Sequence, residues 1–374
     1  MKTKIINYII GSIFIIYYWI CIQSSYLQIV FYKNGWYLGE WLINYQDGGF
    51  KRRGLFGTLF IFINELTKIP LQFIVFAFVS ILYALFFSLL IQLFVQKKNT
   101  LLTISILLLP AGLGMILKDP TIIAKKEIFI FVLYLIYFLC LESKKVVKDL
   151  IVTFFIIAAI LNHEAAFFYI PFVSFTYFVK DGSATSIKLK KILLYHLAPA
   201  VVVMLLLYKF GYSISTENSL LFLKNHGLDL VLKGIYGYDP QYNVLNFYKS
   251  HLYGYQTYLI SLFFASLTFF IYCKFNKISI SKRFLMIQFI FLIPLFYIAY
   301  DWGRWINIFF TLLTIFIAGE RQLISTAKEN MIAIALILFN SLWTMLLFTA
   351  GFITFPALDA FIKKLYYFFY FKIF

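Results

Sequence analysis

Acidic residues, cysteine, histidine and proline are all scarce in this chain: its 374 residues include 16 Asp plus Glu, 3 Cys, 4 His and 8 Pro. Charged side chains make up 13% of the sequence, against 62% hydrophobic and 21% aromatic, and the mean hydropathy is +0.86. That leaves too little polar surface to cover a soluble domain of this length, so lipid is the solvent for most of the chain. Cys21, Cys140 and Cys273 lie in or beside apolar runs with no CxxC spacing. They supply no disulfide framework, no thiolate metal site and no reading of the redox compartment. Alternating ten-residue segments, which a closed β-barrel requires, are also missing.

What is present is a series of continuous apolar runs, each near the roughly 20 residues that span a bilayer as a helix. The fold expected is all-α: a polytopic transmembrane helical bundle of about 10–12 spans, counting short or re-entrant helices. It forms a single membrane domain over residues 1–374, with no soluble domain and no internal repeat period. Lys and Arg number 33, giving a net charge of +17. In a soluble protein that balance suggests nucleic acid. Here the basic loops expected on the cytoplasmic side account for it. Met1-Lys2-Thr3-Lys4 precedes an apolar run too long for a signal peptide and followed by no small-x-small cleavage site, which reads as an uncleaved first helix with a cytoplasmic N-terminus. The bias to Ile, Phe, Lys and Asn suits an AT-rich bacterial gene.

Charge clusters divide the runs. The first helix covers about 5–30 and is followed by a first external loop, 31–69, in which 55–66 is too short to span and lies in the interface. Further helices are expected at about 70–95, 100–117, 128–142, 192–211, 251–273, 284–300, 306–319 and 331–351. Pro110, Gly112 and Gly114 bend or break the 100–117 segment. Asn162-His163-Glu164 interrupts residues 150–179 and makes two short helices with an outward tip, one long tilted helix being the alternative. Residues 212–250 form the largest external loop. Alternating the spans under the positive-inside rule puts the polar motifs at 47–57, 118–127, 162–164, 212–250 and 301–305 on one external face.

The block Asp47-Gly48-Gly49-Phe50-Lys51-Arg52-Arg53-Gly54 is the sharpest of them. Guanidinium forks match phosphate oxygens, glycines let backbone amides approach, and a carboxylate can take a proton from an attacking hydroxyl. A basic patch touching lipid head groups is the plainer reading. His163 and Glu164 form an ionisable pair inside an apolar run, which marks a functional site by default at membrane depth. No second His follows at helical spacing, so a HExxH zinc site is excluded. Asp301 and Arg304 can pair along one helix face, bind a phosphate, or cap the span beside Trp302 and Trp305. Lys125 and Lys126 belong to a solvated loop or to a phosphate contact. Tyr236, Tyr238, Tyr242 and Tyr248, with Asp239-Pro240 and His226, suggest a carbohydrate-facing surface, and His196 reads as packing.

This layout, with Asp47 in the first external loop, external arginines at 52, 53 and 304, and His163-Glu164 followed by Phe167 and Pro171, resembles bacterial O-antigen or repeat-unit polysaccharide polymerases and the wider group of GT-C-type membrane glycosyltransferases. The chain departs from many GT-C enzymes in lacking paired acids at Asp47 and a large external domain. The resemblance implies a GT-C-like bundle in the bacterial inner membrane. It implies transfer between polyprenyl-diphosphate-linked saccharides on the outer face, without a cofactor, in company with membrane lipids, a chain-length regulator and a flippase. Lys51, Arg52, Arg53 and Arg304 would meet the diphosphate, with Asp301, Lys125 and Lys126 along the same edge, and Asp47 or Glu164 beside His163 would serve as base. The rivals are a lipid-linked oligosaccharide flippase, a GT-C transferase using polyprenyl-phosphate sugars, a passive membrane subunit, and an acyltransferase based on His163.

Overall fold

Ile10, Phe14, Tyr17 and Cys21 recur at helical spacing along the first apolar run, and with Ser25 and Ile29 they become buried. Ile15, Ile16 and Trp19 between them stay exposed, as a lipid-facing surface would. In the computed structural model, which describes residues 2–95, 97, 99–142, 147–237, 252–299, 301–320 and 327–345, this run is α1 (Lys2–Ser25), extended by a π turn to Phe31. Its buried stripe packs on α4 (Leu71–Val95), with Phe14 and Phe87 ring centroids 6.0 Å apart. Tyr17 donates to the Leu107 carbonyl at 2.8 Å, so its hydroxyl is satisfied within the stripe.

The protein is all-helical among the described residues, with four helical segments long and apolar enough to cross a membrane: Lys4–Phe31, Leu71–Val95, Thr185–Phe210 and Tyr258–Asn276. The other helices are shorter than a full span. After α2 (Leu38–Trp41) and α3 (Leu55–Thr67), the chain forms α5 (Leu101–Leu107), α6 (Met115–Lys118), α7 (Glu127–Glu142), α8 (Lys148–Asn162) and α9 (Ile170–Lys180). The Thr185–Phe210 span comprises α10 (Thr185–Lys191), a π segment and α11 (Ala198–Phe210), and α12 (Ser219–Asn225) lies in the loop beyond it. Then come α13 (Leu252–Asn276), α14 (Lys282–Ile298), α15 (Trp302–Ala318) and α16 (Ala327–Leu342).

Two interruptions expected from the sequence are present. The 100–117 segment breaks between α5 and α6 at the Pro110–Gly114 stretch. The freed carbonyls of Ala111 and Gly112 accept from Asn307 Nδ2, the latter at 2.8 Å. Asn307 sits on α15, whose residues from Gly303 to Ala318 are all buried. On that helix Arg304, Asn307, Thr311 and Thr314 form a polar stripe at helical spacing, which an all-round apolar environment tolerates only where each group has a protein partner. The second interruption divides residues 150–179 into α8, a 3-10 turn over Glu164–Tyr169, and α9. His163 caps the turn by accepting from the Ala165 amide at 3.2 Å.

These breaks determine where the polar residues meet. The chain entering α3, the N-termini of α7 and α15, and the turn after α8 converge, and their charged residues pair with one another. The opposite end of α8, about 22 Å away for a helix of this length, carries a separate set of ion pairs. These are Lys148–Asp181, Lys191–Asp149 at 2.6 Å, and Lys180–Glu320 at 2.9 Å.

Candidate functional site

Glu40 lies at the centre of the converging segments. Its helix, α2, is a single turn within the aromatic run Trp36–Tyr45, and all four of its residues are buried. Arg53 Nη1 and Arg304 Nη2 both donate to Glu40 Oε1 at 3.1 Å. Lys125 Nζ stands 3.6 Å from Oε2, and His163 Nε2 stands 3.8 Å from Oε1. Burial alone would push this carboxyl up, but Arg304, Lys125 and Arg53 outweigh it and hold it well below the usual carboxylate range. Glu40 is therefore a fixed anion that gathers three cations.

Arg53 then reaches outward. Its Nε and Nη2 donate to Glu164 Oε2 and Oε1 at 2.8 and 2.7 Å, a bidentate fork. Its backbone is left-handed, with φ 66°, and so is that of Ala124, also at 66°. Each costs a non-glycine residue about 1–2 kcal/mol. Both are held by neighbours: Lys126 Nζ donates to the Arg53 carbonyl at 2.8 Å, and Trp41 Nε1 donates to the Ala124 carbonyl at 2.8 Å. Burial pulls the Lys126 ammonium down to about 7 and lowers Lys125 as well.

Arg304 completes the cluster. It donates through Nε to Glu127 and stands 3.6 Å from Asp301 Oδ2 through Nη1. His163 Nε2 points between Glu40 and Glu127 and has no hydrogen-bond partner, nor has Glu127 Oε2. Asp301 is the carboxyl with the least committed charge, and burial pushes it up.

The cluster borders two cavities. A polar chamber of about 350 Å³ is lined by Tyr37, Glu40, Lys125 and Arg304 among others. A larger groove of about 550 Å³ has Arg52, Arg53, His163 and Glu164 on one side. Met204, Leu207, Leu295 and Ile298 form its other side. Those four come from α11 and α14, whose outer faces expose Leu205, Leu206, Ile293 and Tyr297. Trp36, Arg53, Ile235 and Asp301 line both cavities.

Of the residues singled out from the sequence, Arg52, Arg53, Lys125, Lys126, His163, Glu164, Asp301 and Arg304 meet in this cluster. Asp47 and Lys51 do not. They form a separate buried ion pair in which Lys51 also donates to Ser219 Oγ at 3.3 Å, while Thr216 Oγ1 donates to the Asp47 carbonyl at 3.2 Å. That pair ties the 47–51 loop to the chain before α12, and neither residue lines either cavity. Asp47, expected as a base, and Lys51, expected as a phosphate contact, are here each other's counter-ion. Asp301, expected on a phosphate-binding edge, lines both cavities beside Arg304. Lys126 points at the Arg53 backbone rather than into a cavity. In the 212–250 loop Tyr236 is buried, and His226 stands 3.2 Å from Glu65. Tyr238, Asp239, Pro240, Tyr242 and Tyr248 lie outside the described residues. His196 is buried and bonded to Ser174 and Tyr137.

Sequence reasoning missed Glu40, and it noticed Glu127 only as part of a loop. A lone acid within Trp36–Tyr45 is the kind of buried charge that marks a site in an apolar chain, and that signal was available. Neither the family models, the curated proteins nor the solved structures contain a match to this chain.

Proposed function

We propose that the chain is a GT-C-like membrane glycosyltransferase that polymerises polyprenyl-diphosphate-linked saccharide units on the outer face of a bacterial inner membrane. The observation that carries this reading is the mixed lining of the groove, in which Arg52, Arg53 and Glu164 share one cavity with aliphatic side chains from helices whose outer faces are exposed. An amphiphile with an anionic head and an isoprenoid tail matches both kinds of lining at once, whereas a free sugar phosphate leaves the aliphatic side chains unused.

Across the cluster the cations are unequally available. Arg53, Arg304 and Lys125 are committed to Glu40, Glu164 and Glu127, so their charge is largely neutralised in place. Arg52 is different: its side chain is 52% exposed and its nearest carboxylate, Glu164, is 3.7 Å away. Arg52 is the group to take the first phosphate oxygen, and Arg53 the one to follow when Glu164 shifts. In the transfer step the acceptor hydroxyl oxygen bonds to the anomeric carbon and the bond from that carbon to the diphosphate oxygen breaks. The leaving diphosphate keeps the electron pair beside Arg52 and Arg53, and the hydroxyl proton passes to Asp301. The raised affinity of Asp301 for a proton suits that role.

The test is a glycan gel. Cells deleted for the gene should carry surface glycan with a single repeat unit, and the purified protein in liposomes should convert polyprenyl-diphosphate-linked units into a ladder. Normal banding overturns the reading. Accumulation of the lipid-linked unit on the cytoplasmic side identifies a flippase instead.

A further inference from the structure

Two loops cross where the chamber and the groove share lining residues, Trp36 from one loop and Ile235 from the other. Gly35 donates its amide to the Leu232 carbonyl at 2.8 Å, and the 33–37 and 232–237 segments touch backbone to backbone. A Cβ on Gly35 would collide with the Leu232–Lys233 main chain, and a Cβ on Gly234 with that of Gly35–Trp36. Gly234 also has φ 56°, in the region that favours glycine. Two glycines are thus needed for one contact, and the residues that follow them, Trp36 and Ile235, line both cavities.

The two compartments differ in chemistry. On the chamber side Arg53, Arg304 and Lys125 are matched by Glu40, Glu164 and Glu127, so little charge is left to attract an anion. What remains is a surface of fixed N–H donors interleaved with the Asp301 carboxylate and the Asn34 amide, roofed by an indole that is 43% exposed. Hydroxyls donate and accept equally well, so a polyol can use both kinds of group. The C–H face of a pyranose also suits the negative face of an indole ring. A volume near 350 Å³ lies at the small end of ligand sites, enough for a short saccharide and too small for a lipid chain as well.

We propose that the chamber beneath the Gly35–Gly234 crossing is a saccharide subsite, distinct from the lipid-diphosphate groove, with Trp36 as its stacking platform. This rests on the glycosyl-transfer reading above and adds where the second sugar sits: the acceptor enters the chamber, the donor lies in the groove, and Asp301 lines both. The acceptor hydroxyl and the donor's anomeric carbon would meet at the boundary that Trp36, Arg53, Ile235 and Asp301 share, so the two ligands are additive rather than competitive.

Calorimetric titration of the detergent-solubilised full chain tests this with two probes. One is the lipid-free oligosaccharide released by mild acid from the native cell's lipid-linked pool; the other is a long-chain polyprenyl diphosphate in the same micelles. Each should bind in the presence of the other with affinity changed less than threefold. Trp36→Ala should weaken the oligosaccharide at least tenfold and Trp36→Phe should restore most of it, with the oligosaccharide losing more than the lipid, because Trp36 borders the groove as well. Arg52→Glu should do the reverse. Mutual exclusion of the two probes, or an oligosaccharide affinity indifferent to Trp36→Ala, overturns the subsite. Lipid binding without oligosaccharide binding overturns the subsite and leaves the groove reading standing. Oligosaccharide binding without lipid binding overturns the groove reading and leaves the chamber as a sugar site.

Discussion

Arg53 and Glu164 are joined by two parallel hydrogen bonds, Nε to Oε2 at 2.8 Å and Nη2 to Oε1 at 2.7 Å, across 111 positions of sequence. This pair fixes the turn after α8 against the entry to α3 and so sets the width of the groove's polar wall. A lysine at position 53 keeps the charge and loses the fork. Arg53→Lys and Glu164→Gln should each lower thermal stability in detergent. A double-mutant cycle between them should give a coupling energy of about 1–3 kcal/mol. Additive effects would mean the pair contributes nothing as a pair.

Glu40 and Lys126 predict pH responses of the same sign in two separate ranges. The Glu40 carboxyl is held below its ordinary 4.5 in the folded protein. Its stabilisation is complete above the unfolded value and is lost as pH falls through the folded one. Lys126 is pulled from 10.5 down to about 7. The unfolded chain binds that proton more tightly, so stability should rise as pH increases between the two values. Thermal scans from acid to alkaline pH should show both limbs. Glu40→Gln should flatten the acid limb, and it should also cost on the order of 3–5 kcal/mol, because Arg53, Arg304 and Lys125 lose a common counter-ion. Lys126→Met should flatten the alkaline limb.

On the proposed glycosyl transfer, Asp301 and Asp47 should respond differently to loss of their charge. Asp301→Asn should reduce polymer formation by roughly 10²–10⁴-fold with normal amounts of protein in the membrane, as loss of a general base does. Asp47→Asn should instead lower the amount of folded protein, since Lys51 is left buried without its counter-ion. Combining it with Lys51→Met should recover stability and activity together. Stable, inactive Asp47→Asn protein would return Asp47 to the chemistry.

These distinctions also mark what the sequence could convey. Continuous apolar runs are enough to fix an all-helical protein, and Pro110 through Gly114 and Asn162-His163 announce their breaks because they are the residues that interrupt such runs. Arg53, Glu164 and Arg304 were recognisable because charge is expensive in lipid. What stayed hidden depends on partners far away in sequence. Asp47 looks available until Lys51 is seen folded back on it, and Glu40 looks like a loop acid until three cations are found around it. Gly35 and Gly234 are ordinary loop glycines until their backbones meet.

Asn307 provides a test of the break between α5 and α6. Its amide is the side-chain donor for the Gly112 carbonyl, in the core of the bundle. Asn307→Leu preserves size but leaves the Ala111 and Gly112 carbonyls without that donor, and should destabilise by about 1–3 kcal/mol. Asn307→Asp should be worse, because a carboxylate offers no N–H there. Equal stability of Asn307→Leu and wild type would show that the break is satisfied without it.

Orientation can be read from position 52. Arg52 borders the groove and is half exposed, while Cys21 and Cys140 are buried and Cys273 is half-buried. In a chain with those three replaced by serine or alanine, Arg52→Cys should react with a membrane-impermeant maleimide added outside intact spheroplasts. A cysteine at Lys190, exposed in α10 at the opposite end from the cluster, should react only after lysis. The reverse pattern would turn the groove to the cytoplasm, where the first loop's cations would obey the positive-inside rule rather than break it. A cytoplasmic groove would remove the argument for outer-face polymerisation while leaving the anionic amphiphile as its ligand.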